Sequence, residues 1–339
     1  MQIYRVFFLL LFLLSLSFSK ENDFFIDSTS AIKMIDSKKV EFISVDSDPY
    51  VIVGSKYIDL LTLQRANVFG ELECTPFYSC PKFIVKELKL QDVKEDSLLI
   101  LYDNQYGVYA SAVYLLLESM GYKNLKILDG GYWGIKKLDP NQKSYNKYLK
   151  EKIDCFFEMN STNSVEVKKD IKKLENKLDL LEPLLLVNKR VNGVNADKKA
   201  VVLKENNIST DRYFIDKSEL KEVIHKIRTR GKTTSNQKIV DSCGIVDIVG
   251  NSNGSYEAGV YSLDWREVIA PKDRKLKSEE FLTNYFIKSG LEKEDELYLY
   301  CMSEPLKALF LSMVLRRVGY SKTKVFAGDW SLWRGKLNE

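Results

Sequence analysis

The sequence predicts an α/β fold made of two related domains, each a parallel sheet flanked by helices. The first observation is length: 339 residues is more than one core of roughly 150 residues requires, so two domains are expected. The second is an internal repeat, in which Ser97 to Lys136 aligns with Asp295 to Arg334 without a gap at a constant offset of 198. The third is the order of elements within each copy. A short apolar run is followed by a loop, a helical stretch ending in Gly, another apolar run and a Gly-aromatic turn. Strands alternating with helices of this length imply parallel crossovers.

The chain opens with Val6 to Phe18 (VFFLLLFLLSLSF), an apolar run between Arg5 and Lys20-Glu21-Asn22. A bilayer span takes about 20 apolar residues, and this run is shorter. Residues 1–19 therefore read as a signal peptide, with Ser17 and Ser19 placed for cleavage. The expected location is periplasmic or secreted, with no stable membrane span after cleavage; an uncleaved segment would leave the protein membrane-anchored. Export removes the chain from the reducing cytosol and permits disulfides. An odd total of 5 Cys leaves at least one thiol without an intramolecular partner.

Within the first domain, 25–141, Leu99-Ile100-Leu101-Tyr102 overlies Leu297-Tyr298-Leu299-Tyr300 of the second, 208–339. Ala110 overlies Ala308, Gly121-Tyr122 overlies Gly319-Tyr320, Ile127 overlies Val325 and Gly130 overlies Gly328. Gly121 and Gly319 are expected to cap their helices in the left-handed conformation. Upstream, Val45-Asp46-Ser47 is matched with Val240-Asp241-Ser242, so that each copy starts with a further strand. Between the domains, residues 142–207 form a charged helical insert or linker. Val167, Ile171, Leu174, Leu178 and Leu181 trace one apolar helix stripe there, and Pro183 limits its extent.

Composition excludes several chemistries. Lys+Arg 51 against Asp+Glu 47 is too balanced for a nucleic-acid footprint. His225 is the single histidine, so a multi-His metal centre is ruled out, and a His-assisted nucleophile would have to recruit that one residue. It lies in Glu222-Val223-Ile224-His225-Lys226, a helical surface or boundary segment. No metal and no cofactor is expected, and the protein is expected to be a monomer. Cys74 and Cys80 flank Pro76 and can close a small disulfide loop. Cys155, beside Phe156-Phe157, reads as a small buried hydrophobe. Asn160-Ser161-Thr162, Asn207-Ile208-Ser209 and Asn253-Gly254-Ser255 are glycosylation sequons, meaningful only in a eukaryotic secretory host.

The first copy carries Leu101-Tyr102-Asp103, Gly107, Ala110-Ser111 and Leu128-Asp129-Gly130-Gly131-Tyr132-Trp133. The second carries Tyr300-Cys301, Ala308, Gly328-Asp329-Trp330 and Trp333. This ordered set, met twice, resembles the two-domain rhodaneses, the thiosulfate and 3-mercaptopyruvate sulfurtransferases, over about 30–140 and 210–336. The resemblance implies two rhodanese-like domains. The repeat sets Asp103 over Cys301, matching the family's asymmetry between a silent first copy and a second copy with the nucleophilic Cys. Cys301 is then the implied catalytic residue. The partners implied are a small sulfur donor and a thiol or cyanide acceptor.

A cysteine at the end of a parallel strand, ahead of a helix beginning near Pro305, sits where α/β sheets bind ligands. Loop amides and the helix N-terminus favour its thiolate. Once ionised, a thiolate takes up sulfane sulfur as a persulfide without a base. The loop that would bind substrate runs Cys301, Met302, Ser303, Glu304, Pro305, Leu306 and Lys307, and it departs from the family pattern. Pro305 lacks an amide hydrogen, the usual Gly is absent, and Glu304 opposes a thiolate while Lys307 favours it. The family's Val-Asp-x-Arg becomes Val240-Asp241-Ser242-Cys243, with Cys243 in the Arg position. The usual Gly-His-Ile-Pro-Gly-Ala becomes Ser255-Tyr256-Glu257-Ala258-Gly259-Val260. If the family's architecture holds, Cys243 and Cys301 adjoin and can form a redox-active or locking disulfide; two free thiols is the other reading.

Three functions are therefore weighed. One is an exported sulfurtransferase working through a Cys301 persulfide. Another is a catalytically inactive rhodanese-like binding or sulfur-relay protein. A Cys-dependent phosphatase is disfavoured, because Lys307 is a poor substitute for the planar Arg that phosphate recognition requires.

Overall fold

The computed structural model describes residues 23–45, 50–58, 84, 88, 89, 91–94, 96–145, 212–230, 236–244, 260–301 and 304–327. The signal segment, most of the 142–207 insert with its apolar stripe, all three sequons, Cys74, Cys80 and Cys155 lie outside the described residues.

The first half runs β1 (Phe25–Asp27), α1 (Ser28–Ile32), β2 (Val40–Ser44), β3 (Tyr50–Ile52), β4 (Lys56–Tyr57), β5 (Leu98–Tyr102), α2 (Val108–Ser119), β6 (Leu125–Asp129), α3 (Gly131–Leu138) and β7 (Lys143–Tyr145). The second half runs α4 (Lys217–Arg230), β8 (Gln237–Asp241), β9 (Val260–Ser262), β10 (Ile269–Ala270), β11 (Lys275–Leu276), α5 (Glu279–Lys288), β12 (Glu296–Tyr300), α6 (Pro305–Arg317) and β13 (Thr323–Val325). One sheet has the order β1-β6-β5-β2-β4, the other β13-β12-β8-β9, and every neighbouring pair in both is parallel. Phe214 bridges Val325 in parallel and takes in the second sheet the place that Phe25, opposite Ile127, has in the first. Two smaller ribbons, β3 with β7 and β10 with β11, complete the strands.

Both sheets belong to one compact unit, residues 1–144 with 209–339. Strands β5 and β12 are central and apolar because both of their faces are covered: Leu99, Ile100, Leu101, Leu297 and Leu299 are all buried. Helix α2 buries Val108, Ala110, Val113, Leu115, Leu116 and Leu117, and α6 buries Leu306, Leu309, Phe310, Met313, Val314 and Leu315. Apolar residues surround most of each helix because one face meets its own sheet and the other meets the partner helix. These residues join a single core that spans both halves.

The repeat is visible in the caps. Tyr122 N donates to Leu117 O and Tyr320 N to Leu315 O, both at 3.1 Å. Between them Gly121 (φ 92°) and Gly319 (φ 99°) take the left-handed conformation, the six-to-one closure that Gly allows. The upstream match needs a correction of two residues. Ser44 pairs with Tyr102 and Asp241 with Tyr300, so Ser44, not Asp46, corresponds to Asp241. A slip of two keeps every side chain on its face, so an alternating pattern cannot detect it.

Candidate functional site

Cys301 directly follows β12, and α6 opens at Pro305 with Glu304 as its N-terminal cap residue. Pro suits the first helical position because that N–H would be left unpaired by the helix in any case. The ladder from Gln237–Glu296 to Asp241–Tyr300 brings the ends of β8 and β12 level. Ser242 N then donates to Tyr300 O at 2.9 Å. Asp241, itself buried, accepts the Cys243 amide on Oδ1 at 2.9 Å. That turn aims Cys243 at the neighbouring strand end, where it forms a disulfide with Cys301 across a Cα–Cα distance of 4.9 Å. Both residues are buried, 1% and 3% exposed.

Around this pair the predicted loop residues divide. Lys307 Nζ lies 3.5 Å from Glu304 Oε2 and 5.8 Å from the centroid of the Trp265 ring. The two opposing charges expected to act on Cys301 thus face each other. Leu306 is buried among core residues, so its side chain packs the helix onto the sheet. Met302 and Ser303 lie outside the described residues. His225 is exposed on α4, the helix that precedes β8 and packs against it. Among the described residues no three His, Cys, Asp or Glu side chains are grouped to hold a metal.

Asp103, the counterpart of Cys301, shows what the loop does when its anion is built in. Its Oδ1 accepts from Gln105 N at 2.8 Å and Gly107 N at 2.7 Å, and its Oδ2 accepts from Ala110 N at 2.8 Å. The carboxyl is 1% exposed, and burial pushes its pKa upward against the pull of those amides. By the repeat offset the three donors correspond to Ser303, Pro305 and Ala308. Pro305 has no N–H, so the second loop lacks the donor that Gly107 supplies in the first.

Arg266, Trp265 and Arg274 carry no motif signal. Arg266 is held by Asp264, with Nε to Oδ1 at 2.9 Å and Nη2 to Oδ2 at 2.7 Å. A Cβ built on Gly244, next to Cys243, would meet that carboxylate at 2.5 Å and Arg266 Nη2 at 3.0 Å. A guanidinium therefore stands beside the Cys243 turn although Cys243 has replaced the expected Arg. Trp265 contacts Phe310 and Tyr106 edge-on, at ring centroid distances of 6.1 and 6.2 Å. Arg274 lies over Tyr106 at 5.4 Å and over Trp133 at 5.1 Å. Asp129, in the Leu-Asp-Gly-Gly turn, accepts Leu276 N at 2.8 Å and so ties the β10–β11 ribbon to the first sheet. A cavity of about 610 Å³ opens between α3 and that ribbon, lined by Trp133, Lys136, Lys137, Lys272 and Arg274. Neither cysteine lines it. Arg274 with Tyr106 and Trp133, Trp265 with Tyr106, and Asp129 with Leu276 are pairs drawn from the two halves of the chain, so no local spacing announces them.

Two parallel sheets with matching strand order, each placing a loop and a helix after its central strand, decide the architecture. The fold is that of the rhodaneses. The protein resembles the 3-mercaptopyruvate sulfotransferase SseA of Escherichia coli at a TM-score of 0.55 and 14% identity, covering 91% of this chain and 98% of that one. It resembles the sulfur transferase subunit of yeast mitochondrial complex I at 0.57 and 15%, covering 91% and 95%. The anaerobic ergothioneine biosynthesis enzyme of Chlorobium limicola, in complex with trimethyl histidine, matches at 0.59 and 12%, covering 92% and 68%. No protein-family model and no curated protein sequence matches the chain. The rhodanese likeness is therefore carried by the backbone, with identities at which the fold persists while the residues differ. Among the described residues no helix is long and apolar enough to cross a membrane.

Proposed function

We propose that this rhodanese-fold protein is an exported sulfurtransferase in which Cys301, once reduced, carries sulfane sulfur as a persulfide. The observation that carries the reading is the position of Cys301, at the carboxyl end of the central strand β12 and ahead of α6. Loop and helix amides present partial positive charge at such a place. The Cys301 thiolate attacks the outer sulfur of thiosulfate, the new S–S bond forms, and sulfite leaves with the electron pair of the broken bond. With 3-mercaptopyruvate the leaving group is the pyruvate enolate. A thiol or cyanide acceptor then removes the terminal sulfur. The disulfide with Cys243 makes reduction a prerequisite, because only a thiolate is a nucleophile.

A second reading, a non-catalytic rhodanese-like binding or sulfur-relay protein, draws on the same bond. Both sulfurs are joined and buried, and Pro305 removes an amide from the loop. Cyanide- and thiol-dependent turnover of thiosulfate and 3-mercaptopyruvate by the reduced mature chain, beside Cys301→Ser, separates the two. The transferase reading expects turnover that the variant loses; equal rates in both proteins overturn it.

A further inference from the structure

We propose that Cys243 is a resolving cysteine: when Cys301 carries a persulfide, the Cys243 thiol attacks Cys301 Sγ, closes the disulfide and expels the outer sulfur as hydrosulfide. This rests on the reading of Cys301 as the persulfide carrier and adds to it a product, sulfide, and a consumed partner, an external dithiol.

The observations are geometric. The parallel ladder of β8 with β12 sets the two strand ends level, and the Asp241 carboxylate holds the Cys243 amide in the turn that follows β8. The resulting Cα–Cα distance, 4.9 Å, lies within the range of roughly 4.4–6.8 Å that a disulfide spans without backbone movement. A thiol held this way competes with any acceptor in solution. Well-oriented intramolecular groups act at effective molarities of about 10⁵–10⁸ M. Even a small fraction of that exceeds the concentration of a diffusing acceptor.

The step balances. The bond between Cys301 Sγ and the terminal sulfur breaks while the bond between Cys301 Sγ and Cys243 Sγ forms, and the departing sulfur takes the broken bond's electron pair. The Cys243 proton goes with it, giving hydrosulfide. The closed disulfide is then reduced by a dithiol, which is itself oxidised to a disulfide and returns both cysteines as thiols. Sulfur thus leaves as sulfide and electrons enter from the dithiol, so the sulfane donor is reduced rather than its sulfur passed on.

The test is a single turnover on the full mature chain, reduced, freed of reductant and mixed with thiosulfate or 3-mercaptopyruvate. The wild-type protein is expected to release one sulfide per chain and to yield a linked Cys243–Cys301 peptide, with little sulfur adduct in the intact mass. Cys243→Ser is expected to retain the adduct on Cys301 at least about tenfold longer and to release its sulfur only when cyanide is added. A wild-type adduct that persists as long as that of Cys243→Ser, with no linked peptide formed, overturns the resolving role and leaves the persulfide reading standing. No adduct on Cys301 in Cys243→Ser, together with neither sulfide nor linked peptide from the wild type, overturns both. The wild-type stoichiometry is read without the variant, so a folding defect in Cys243→Ser does not shield the proposal.

Discussion

Arg316 and Glu118 stand 198 residues apart, the offset of the repeat, and bind each other. Arg316 Nη1 donates to Glu118 Oε2 at 2.9 Å and Nη2 to Oε1 at 3.3 Å. The same guanidinium lies 4.5 Å from the Phe24 ring centroid and 4.8 Å from that of Tyr213. Phe24 O accepts Ile127 N and Tyr213 O accepts Val325 N, so these two rings are also counterparts. Equivalent positions that meet one another mark the approximate two-fold axis between the copies. An exact duplicate would bring like charges together there; this chain has one of each sign.

Truncating this pair should be costly. Arg316→Ala leaves Glu118 half-buried without its partner and is expected to destabilise the protein by about 1.5–3 kcal/mol, the scale of a hydrogen bond to a charged group. Arg316→Glu should cost more, through like-charge repulsion, and adding Glu118→Arg should recover part of the loss. Urea unfolding of the two single variants and the double variant measures the coupling; additive losses would show that the pair contributes nothing as a unit.

Asp103→Asn should destabilise the first half by about 1–3 kcal/mol, since an amide nitrogen would confront the Ala110 N–H that Oδ2 now accepts. Burial raises the carboxyl's pKa in the folded state. Its contribution is therefore fully present below the ordinary carboxylate pKa and is lost as pH rises through the raised folded value. Thermal unfolding of both proteins across that window should show a fall with rising pH in the wild type that the variant lacks.

Gly131→Ala has no room. A Cβ on Gly131, at φ 52°, would lie 2.1 Å from the carbonyl oxygen of Asp103, a backbone atom that cannot swing aside. A loss of about 3 kcal/mol or more is expected, combining overlap with an unfavourable φ. Soluble yield and unfolding midpoint will report it, and a midpoint equal to that of wild type would count against this packing.

Arg274 is strained and stacked at once, with φ 55° and two aromatic rings under its guanidinium. Arg274→Gly relieves the strain and Arg274→Ala retains it, while both lose the stacking. The Gly variant should be the more stable of the two by about 1 kcal/mol, which differential scanning calorimetry can resolve.

Reduction of the Cys243–Cys301 bond should lower the unfolding midpoint. The bond closes a stretch with a sequence separation of 58, and cross-links of this kind contribute about 2–4 kcal/mol. Adding a dithiol should shift the wild type and leave Cys243→Ser unmoved; equal shifts would place the reductant's effect elsewhere.

The repeat made much of this architecture legible. Leu99–Tyr102 and Leu297–Tyr300 form the two central strands, and Gly121 and Gly319 end the two helices, because apolar runs and left-handed caps are local signals. Cys301 at a strand end was readable for the same reason. The adjacency of Cys243 followed from the implied architecture and not from spacing, since it depends on how β8 registers with β12. The placing of Arg266 against the Cys243 turn and of Arg274 between Tyr106 and Trp133 had no sequence signature. Both sets come together only when distant segments fold. The two-residue slip at Ser44 and Asp241 has the opposite cause: alternation repeats every second residue, so the correct and shifted pairings look alike.

The self-filled loop around Asp103 fixes a stoichiometry. Its amides are already saturated by the chain's own carboxylate, so an incoming anionic donor finds no vacancy there. On the sulfurtransferase reading proposed above, two loops of common design thus offer one sulfur port per polypeptide. Titration of Cys243→Ser, which cannot discharge the adduct, with a sulfane donor should level off at a single atom loaded, however faithfully the second sheet repeats the first.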